Sequence, residues 1–181
     1  ICHQWEGVGG PGHWPDADML PFGHLALRST ERGWGDRWTH FTQDEQIALM
    51  TLWCLFRSPL MVGAELNDND EFTLNLLTND EVLALLSESR NARQVYREER
   101  YNYAGEVIVW QAENEQGETY CAVFNCGPKA RKLAVQLSSA LGLEGAYTGR
   151  DLWAHEEIPV GRALEVEVPS HGARLVKLTK K

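Results

Sequence analysis

The chain has 181 residues, 43% hydrophobic and 24% charged, the balance of a folded globular protein and not of a disordered one. Its formal net charge of −9 argues against nucleic acid and anionic membrane surfaces as partners, since both attract basic patches, and suits a neutral, hydroxyl-rich ligand. No apolar run approaches the roughly 20 residues that a membrane-spanning helix needs. The sequence opens on Ile1 without a signal-peptide pattern, which reads as a processed end or a cut within a longer protein.

Residues 1–41 are rich in Gly, Pro, His and Trp, and Gly7, Gly9, Gly10, Pro11 and Gly12 exclude a helix there. Thr42 and Glu45 have the spacing of a capping box. The helix they open runs through Ile47, Leu49, Met50, Leu52, Trp53, Leu55 and Phe56 and ends at Ser58-Pro59. It is apolar on most faces, so it is expected to pack on more than one side, with Cys54 in the core. Leu60-Met61-Val62-Gly63 has the length of a buried parallel strand. Asn67 to Asp70 offer N-caps for a helix over Phe72–Leu77, and Thr78 with Glu81 suggests a second capping box ahead of Val82–Leu86. The order loop, helix, strand, helix is a piece of an α/β unit with parallel strands.

The grammar changes near residues 90–100, and from Val107 onward the period is close to two. Strands are expected at Val107–Trp110 and Tyr120–Phe124 around a Gln116-Gly117 turn, and at Leu133–Leu137. A further pair, Ala146-Tyr147 and Asp151–Trp153, is expected around Thr148-Gly149. Leu164, Val166 and Val168 alternate with Glu165 and Glu167, and His171-Gly172 turns into Arg174–Leu178. Six or so short strands imply an antiparallel β-sandwich.

The densest chemistry lies in His13-Trp14-Pro15-Asp16-Ala17-Asp18-Met19-Leu20. Residues at the C-terminal ends of parallel strands line active sites in β/α barrels. Carboxylates accept strong hydrogen bonds from sugar hydroxyls, and an indole stacks on a pyranose face, so Asp16, Asp18 and Trp14 suit sugar binding. Two other readings stand beside it. The aspartates cap a turn, as Asp often does, or they are themselves the acid and nucleophile of a retaining glycosidase, whose carboxyls lie roughly 5–5.5 Å apart. Asn67–Glu71 is rich in oxygen ligands but lacks the glycine and late glutamate of a calcium loop, so helix capping is preferred. His3 and His13 sit near the glycine-rich loop without metal-ligand spacing, so no metal or cofactor is expected. Cys121 and Cys126 are five residues apart; two free thiols are favoured over a bridge.

The order of motifs resembles glycoside hydrolase family 27, the α-galactosidases and α-N-acetylgalactosaminidases. Residues 10–20, Gly-Pro-Gly-His-Trp-Pro-Asp-Ala-Asp-Met-Leu, are similar to its G-W-N-D-P-D-M-L segment. Thr42–Trp53 resembles its L-T-x-x-E-x-x-x-x-x-x-L-W helix, Ser58–Gly63 its A-P-L-x-x-G strand, and Leu77–Val82 its L-T-N-x-E-V helix. The resemblance implies an α/β plus all-β chain: the last two β/α units of a TIM-type barrel in residues 1–92, then an antiparallel β-sandwich in 93–181. It implies an α-galactoside-type saccharide as ligand and retaining hydrolysis as the reaction. Asp18 and Met19 match positions lining the galactose pocket, Asp16 is their motif neighbour, and Trp14 supports the loop. The nucleophile and acid/base of the family lie upstream, the latter normally just before the stretch matched by Cys2-His3-Gln4-Trp5, so the isolated chain is expected to be inactive. Pro15, Ala17, Arg57 and Ala64-Glu65 depart from the family pattern. Open barrel edges imply the rest of the barrel as a partner, or self-association. The competing class is a non-catalytic carbohydrate-binding or structural sandwich with Trp110, Tyr147 and Trp153 as a sugar platform; burial of those aromatics in the core is the plainer reading.

Overall fold

The computed structural model describes residues 4, 6–10, 12–27, 35–98 and 106–181. The glycine-rich segment forms turns. Gly10 and His13 exchange backbone hydrogen bonds of 2.8 and 3.0 Å around Gly12, whose φ of +87° suits glycine alone. Leu20 then lies beside Val62 in a parallel bridge: the Leu20 N–H donates to the Met61 carbonyl at 2.7 Å and the Gly63 N–H to the Leu20 carbonyl at 2.9 Å. Between these two segments run the short antiparallel pair β1 (His24–Leu25) and β2 (Arg37–Trp38), and helix α1 (Gln43–Phe56). The strand expected at Leu60–Gly63 is reduced to this single bridge, and Met61 is exposed. Among the described residues its one strand neighbour is the Leu20 segment, so no second ladder extends it.

Helix α1 starts at the expected capping box: the Glu45 N–H donates to Thr42 Oγ1 at 3.3 Å and the Thr42 N–H to Glu45 Oε2 at 2.8 Å. It ends at Arg57 in the left-handed region. A one-turn 3₁₀ helix spans Leu66–Asp68, capped by Glu65, and Asp70 caps α2 (Glu71–Leu77), accepting from the Thr73 N–H at 2.7 Å. The capping box expected of Thr78 and Glu81 does not form. Thr78 Oγ1 turns back to the Leu74 carbonyl, and Asn79 caps α3 (Asp80–Leu83) through the Val82 N–H at 3.1 Å. Asn is as good a cap as Thr, and it leaves Glu81 to form a stronger bidentate pair with Arg150. Helix α4 (Leu85–Glu88) follows.

Strands β3 (Arg90–Glu98), β4 (Val107–Glu113) and β5 (Thr119–Asn125) form an antiparallel meander. Next come β6 (Arg131–Gln136), α5 (Leu137–Leu141), β7 (Tyr147–Asp151), β8 (Glu156–Ile158), β9 (Ala163–Val168) and β10 (Ala173–Lys180). Six strands build one antiparallel sheet in the order β3-β4-β5-β10-β7-β8, while β6 and β9 pair as a separate ribbon. Gly149 is not in a turn as expected: it sits inside β7, where an added Cβ would come within 2.7 Å of Val160 Cγ2. The reversal comes after Asp151, whose Oδ1 accepts from the Trp153 and Ala154 N–H groups at 2.9 and 3.1 Å.

The large sheet is the middle of three layers. One face packs Val107, Val109, Cys121, Val123, Val176 and Leu178 against Val135, Leu164 and Val168 of the ribbon and Leu137 and Leu141 of α5. The other packs Trp110, Ala112, Tyr120, Ala122, Phe124, Ala173 and Leu175 against Met50, Cys54 and Leu55 of α1, with Leu76, Val82 and Leu85. Strand β5 is therefore buried at every residue, which explains why its apolar run does not alternate.

Candidate sugar-binding loop and its family

The loop expected to bind sugar is held by its own carboxylates and by α1. Asp16 Oδ1 accepts from the Asp18 N–H at 2.8 Å, and Asp18 Oδ1 accepts from the Met19 N–H at 2.6 Å. The Trp53 indole N–H reaches the Asp18 carbonyl at 3.2 Å, and the Ala17 N–H donates to Ser58 Oγ at 2.9 Å. These bonds fix Asp18 at φ +75°, a conformation that costs free energy in any non-glycine residue and that Asp tolerates better than most. The turn-capping reading of the two aspartates is thus present in the geometry. It leaves Asp16 and Asp18 exposed at the surface of the loop. Met19 is 57% exposed and lies over Gly63 of the neighbouring parallel segment, where a Cβ would stand 3.4 Å from the Met19 Cβ.

Trp14 is placed apart from that group. The Arg57 guanidinium sits 4.0 Å over its ring, and Arg57 Nε also donates to the Leu86 carbonyl at 3.0 Å. Both residues line a cleft of about 730 Å³ with Glu88, Arg90 and Asn91, a cleft whose wall includes neither Asp18 nor Met19. The departure of Arg57 from the family pattern has a physical role: it stacks on the motif tryptophan and ties it to the end of α4.

The structure also shows a cluster that the sequence did not disclose. His24 lies between two carboxylates, Nε2 on Asp36 and Nδ1 on Asp68, and its ring stacks on Trp38 with centroids 5.1 Å apart and planes 17° apart. The hydrogen bonds that the ring donates to Asp36, then Asp68, raise the imidazole pKa above its ordinary value. These residues come from three separate stretches, so no local spacing points to them. Cys2 and His3 lie outside the described residues. Cys54, Cys121 and Cys126 are free thiols; burial pushes the first two up to about 12 and leaves them inert. Trp110 and Tyr147, 3% and 6% exposed, belong to the core, and half-buried Trp153 packs against it with its indole N–H donating to Thr51 Oγ1 at 2.8 Å, so the three do not form one exposed platform.

The β-sandwich is thus docked on a helical layer, and the Asp16–Met19 loop presents its carboxylates beside the Leu20–Val62 bridge. Residues 104–178 match the family model of the alpha galactosidase C-terminal beta sandwich domain. A solved β-L-arabinopyranosidase of glycoside hydrolase family 27 from Geobacillus stearothermophilus superposes with a TM-score of 0.89 at 46% identity, over 98% of this chain and 40% of that one. A structure from Bacillus halodurans C-125, described as a putative α-N-acetylgalactosaminidase, gives 0.86 at 38% identity over 99% of this chain and 42% of that one. A probable alpha-galactosidase D of Aspergillus oryzae is 33% identical over 179 residues, covering 93% of this chain. The chain spans 24% of that enzyme and 38% of a rice alpha-galactosidase. Over its whole length the chain is thus similar to the C-terminal part of glycoside hydrolase family 27 enzymes, and residues 104–178 match their β-sandwich domain.

Proposed function

We propose that residues 1–92 complete a (β/α)₈ catalytic barrel and residues 93–181 form its C-terminal sandwich, in a retaining hydrolase of terminal α-galactose-type sugars. The observation that carries the reading is the Asp18–Met19 loop: a strained, multiply hydrogen-bonded backbone that presents a carboxylate beside the parallel Leu20–Val62 bridge. In this reading Asp18 accepts hydrogen bonds from sugar hydroxyls, Asp16 holds the Asp18 backbone, and Met19 forms an apolar wall. The parallel Leu20–Val62 bridge on either side of α1 supports the barrel assignment. The nucleophile and the acid/base come from upstream segments. One carboxylate attacks the anomeric carbon, while the other protonates the leaving oxygen and then activates water. This chain contributes orientation and binding.

The 46% identity to the Geobacillus enzyme favours one second reading, a β-L-arabinopyranoside substrate. That sugar has the ring stereochemistry of α-galactose without the exocyclic hydroxymethyl group, so the same Asp18 contacts serve both. The test compares hydrolysis of chromogenic α-galactoside and β-L-arabinopyranoside by this chain and by a polypeptide extended upstream. Activity in the longer polypeptide alone, lowered at least a hundredfold by Asp18→Ala, is the expected outcome. Turnover by the short chain would make Asp16 and Asp18 the catalytic pair instead.

A further inference from the structure

Trp38 is 45% exposed, yet its orientation is fixed. One face lies on His24, both of whose ring nitrogens are held by carboxylates from different segments, Asp36 ahead of β2 and Asp68 on the 3₁₀ helix. The β1–β2 ladder sets Trp38 directly opposite His24, and the Glu65 N–H donates to the His24 carbonyl at 3.0 Å. This clamp continues the candidate loop. Met19 rests on Gly63; two residues further along the chain, Glu65 holds His24, and His24 carries Trp38. An exposed indole held rigid from behind is apolar surface prepared for a flat apolar ligand face, and little rotamer entropy is lost when it is covered. The Asp36 and Asp68 side chains beside it are 59% and 55% exposed, which leaves carboxylate surface to accept hydroxyl protons. A flat apolar face bordered by hydroxyls is the surface of a pyranose ring.

We propose that Trp38, linked to the Asp18–Met19 loop through Gly63, Glu65 and His24, is the stacking platform for the leaving-group sugar, with Asp36 and Asp68 as hydroxyl acceptors. The proposal rests on the glycosidase reading above and names a second subsite for it. Trp38 is a positioning residue for the group that departs.

The experiment uses the intact enzyme and two donors bearing the same cleaved sugar. One is a disaccharide, whose leaving group has a ring; the other is the glycosyl fluoride, whose leaving group has none. For Trp38→Ala, the ratio of kcat/KM on the disaccharide to that on the fluoride falls about tenfold, mostly through a higher disaccharide KM, whereas Trp38→Phe retains most of the ratio. His24→Gln, which keeps the indole but loosens its support, lowers the ratio by a smaller factor. An unchanged ratio in Trp38→Ala, with the fluoride turned over normally, overturns the platform alone. Failure of the unmodified enzyme to cleave either donor overturns the glycosidase reading and the platform with it.

Discussion

His24 makes demands on its own charge. A neutral imidazole has one N–H and can donate to one carboxylate; contact with Asp36 and Asp68 together needs the doubly protonated ring. Since its pKa in the fold is raised above 6.5, the stabilisation is fully present below that value and is lost as pH rises through the raised one. His24→Gln should therefore lower the melting temperature more at pH 5.5 than at pH 9. Thermal denaturation of both proteins across that range measures the gap, and a gap that widens toward pH 9 would contradict the clamp. Asp18 shows a different constraint at the same scale. Its positive φ was not legible in the sequence, because it arises from hydrogen bonds to Trp53 and Met19 that depend on the fold.

Between elements, the Glu81–Arg150 pair fastens α3 to β7. Arg150 Nε and Nη2 reach the two Glu81 oxygens at 2.6 Å each, and His155 Nδ1 adds a contact at 2.7 Å. The guanidinium holds the Glu81 carboxyl at about 2, well below its ordinary 4.5. Its contribution is therefore present above pH 4.5 and lost as pH falls toward 2. Both side chains are nearly a third exposed, so Glu81→Gln should cost only about 1 kcal/mol at pH 7. Urea midpoints of the two proteins should differ at pH 7 and draw together as the pH falls through 3 toward 2. The elements that sequence revealed best were those whose signals are local: the Thr42–Glu45 box, the alternation of β9, and the Gln116-Gly117 turn, where Gly117 has φ +79°. The misread ones turn on distant partners. Glu81 left its capping box for a residue 69 positions away, and Gly149 is small because Val160 presses on β7, not because the chain turns there. Strand β3 was hidden by its charges: Arg90, Arg93 and Arg97 guard a sheet edge and mask an alternating pattern already broken by two bulges. In the candidate loop Asp16, Asp18 and Met19 were legible as a motif, whereas the clamp around Trp38 was assembled from three separate stretches and gave no pattern to read.

At the scale of the whole molecule, the change of grammar near residue 90 does not mark a gap in the core. Met50, Cys54 and Leu55 of α1 share one apolar cluster with Trp110, Tyr120, Ala122 and Leu175 of the large sheet. A sandwich without its helical layer would expose the apolar face of β4, β5 and β10, so the two halves should melt as one cooperative unit. Met50→Ala tests this because it opens a cavity on the helical side only. Met50 is fully buried, and the truncation should cost about 3 kcal/mol. If the layers are one unit, amide exchange should speed up in β5 and β10 by the same free energy as in α1, because both open through global unfolding. Faster exchange confined to α1, with β5 and β10 still fully protected, would show that the sheet and its ribbon hold together alone. That outcome would bring back the independent sandwich module and separate its stability from that of the Asp18–Met19 loop.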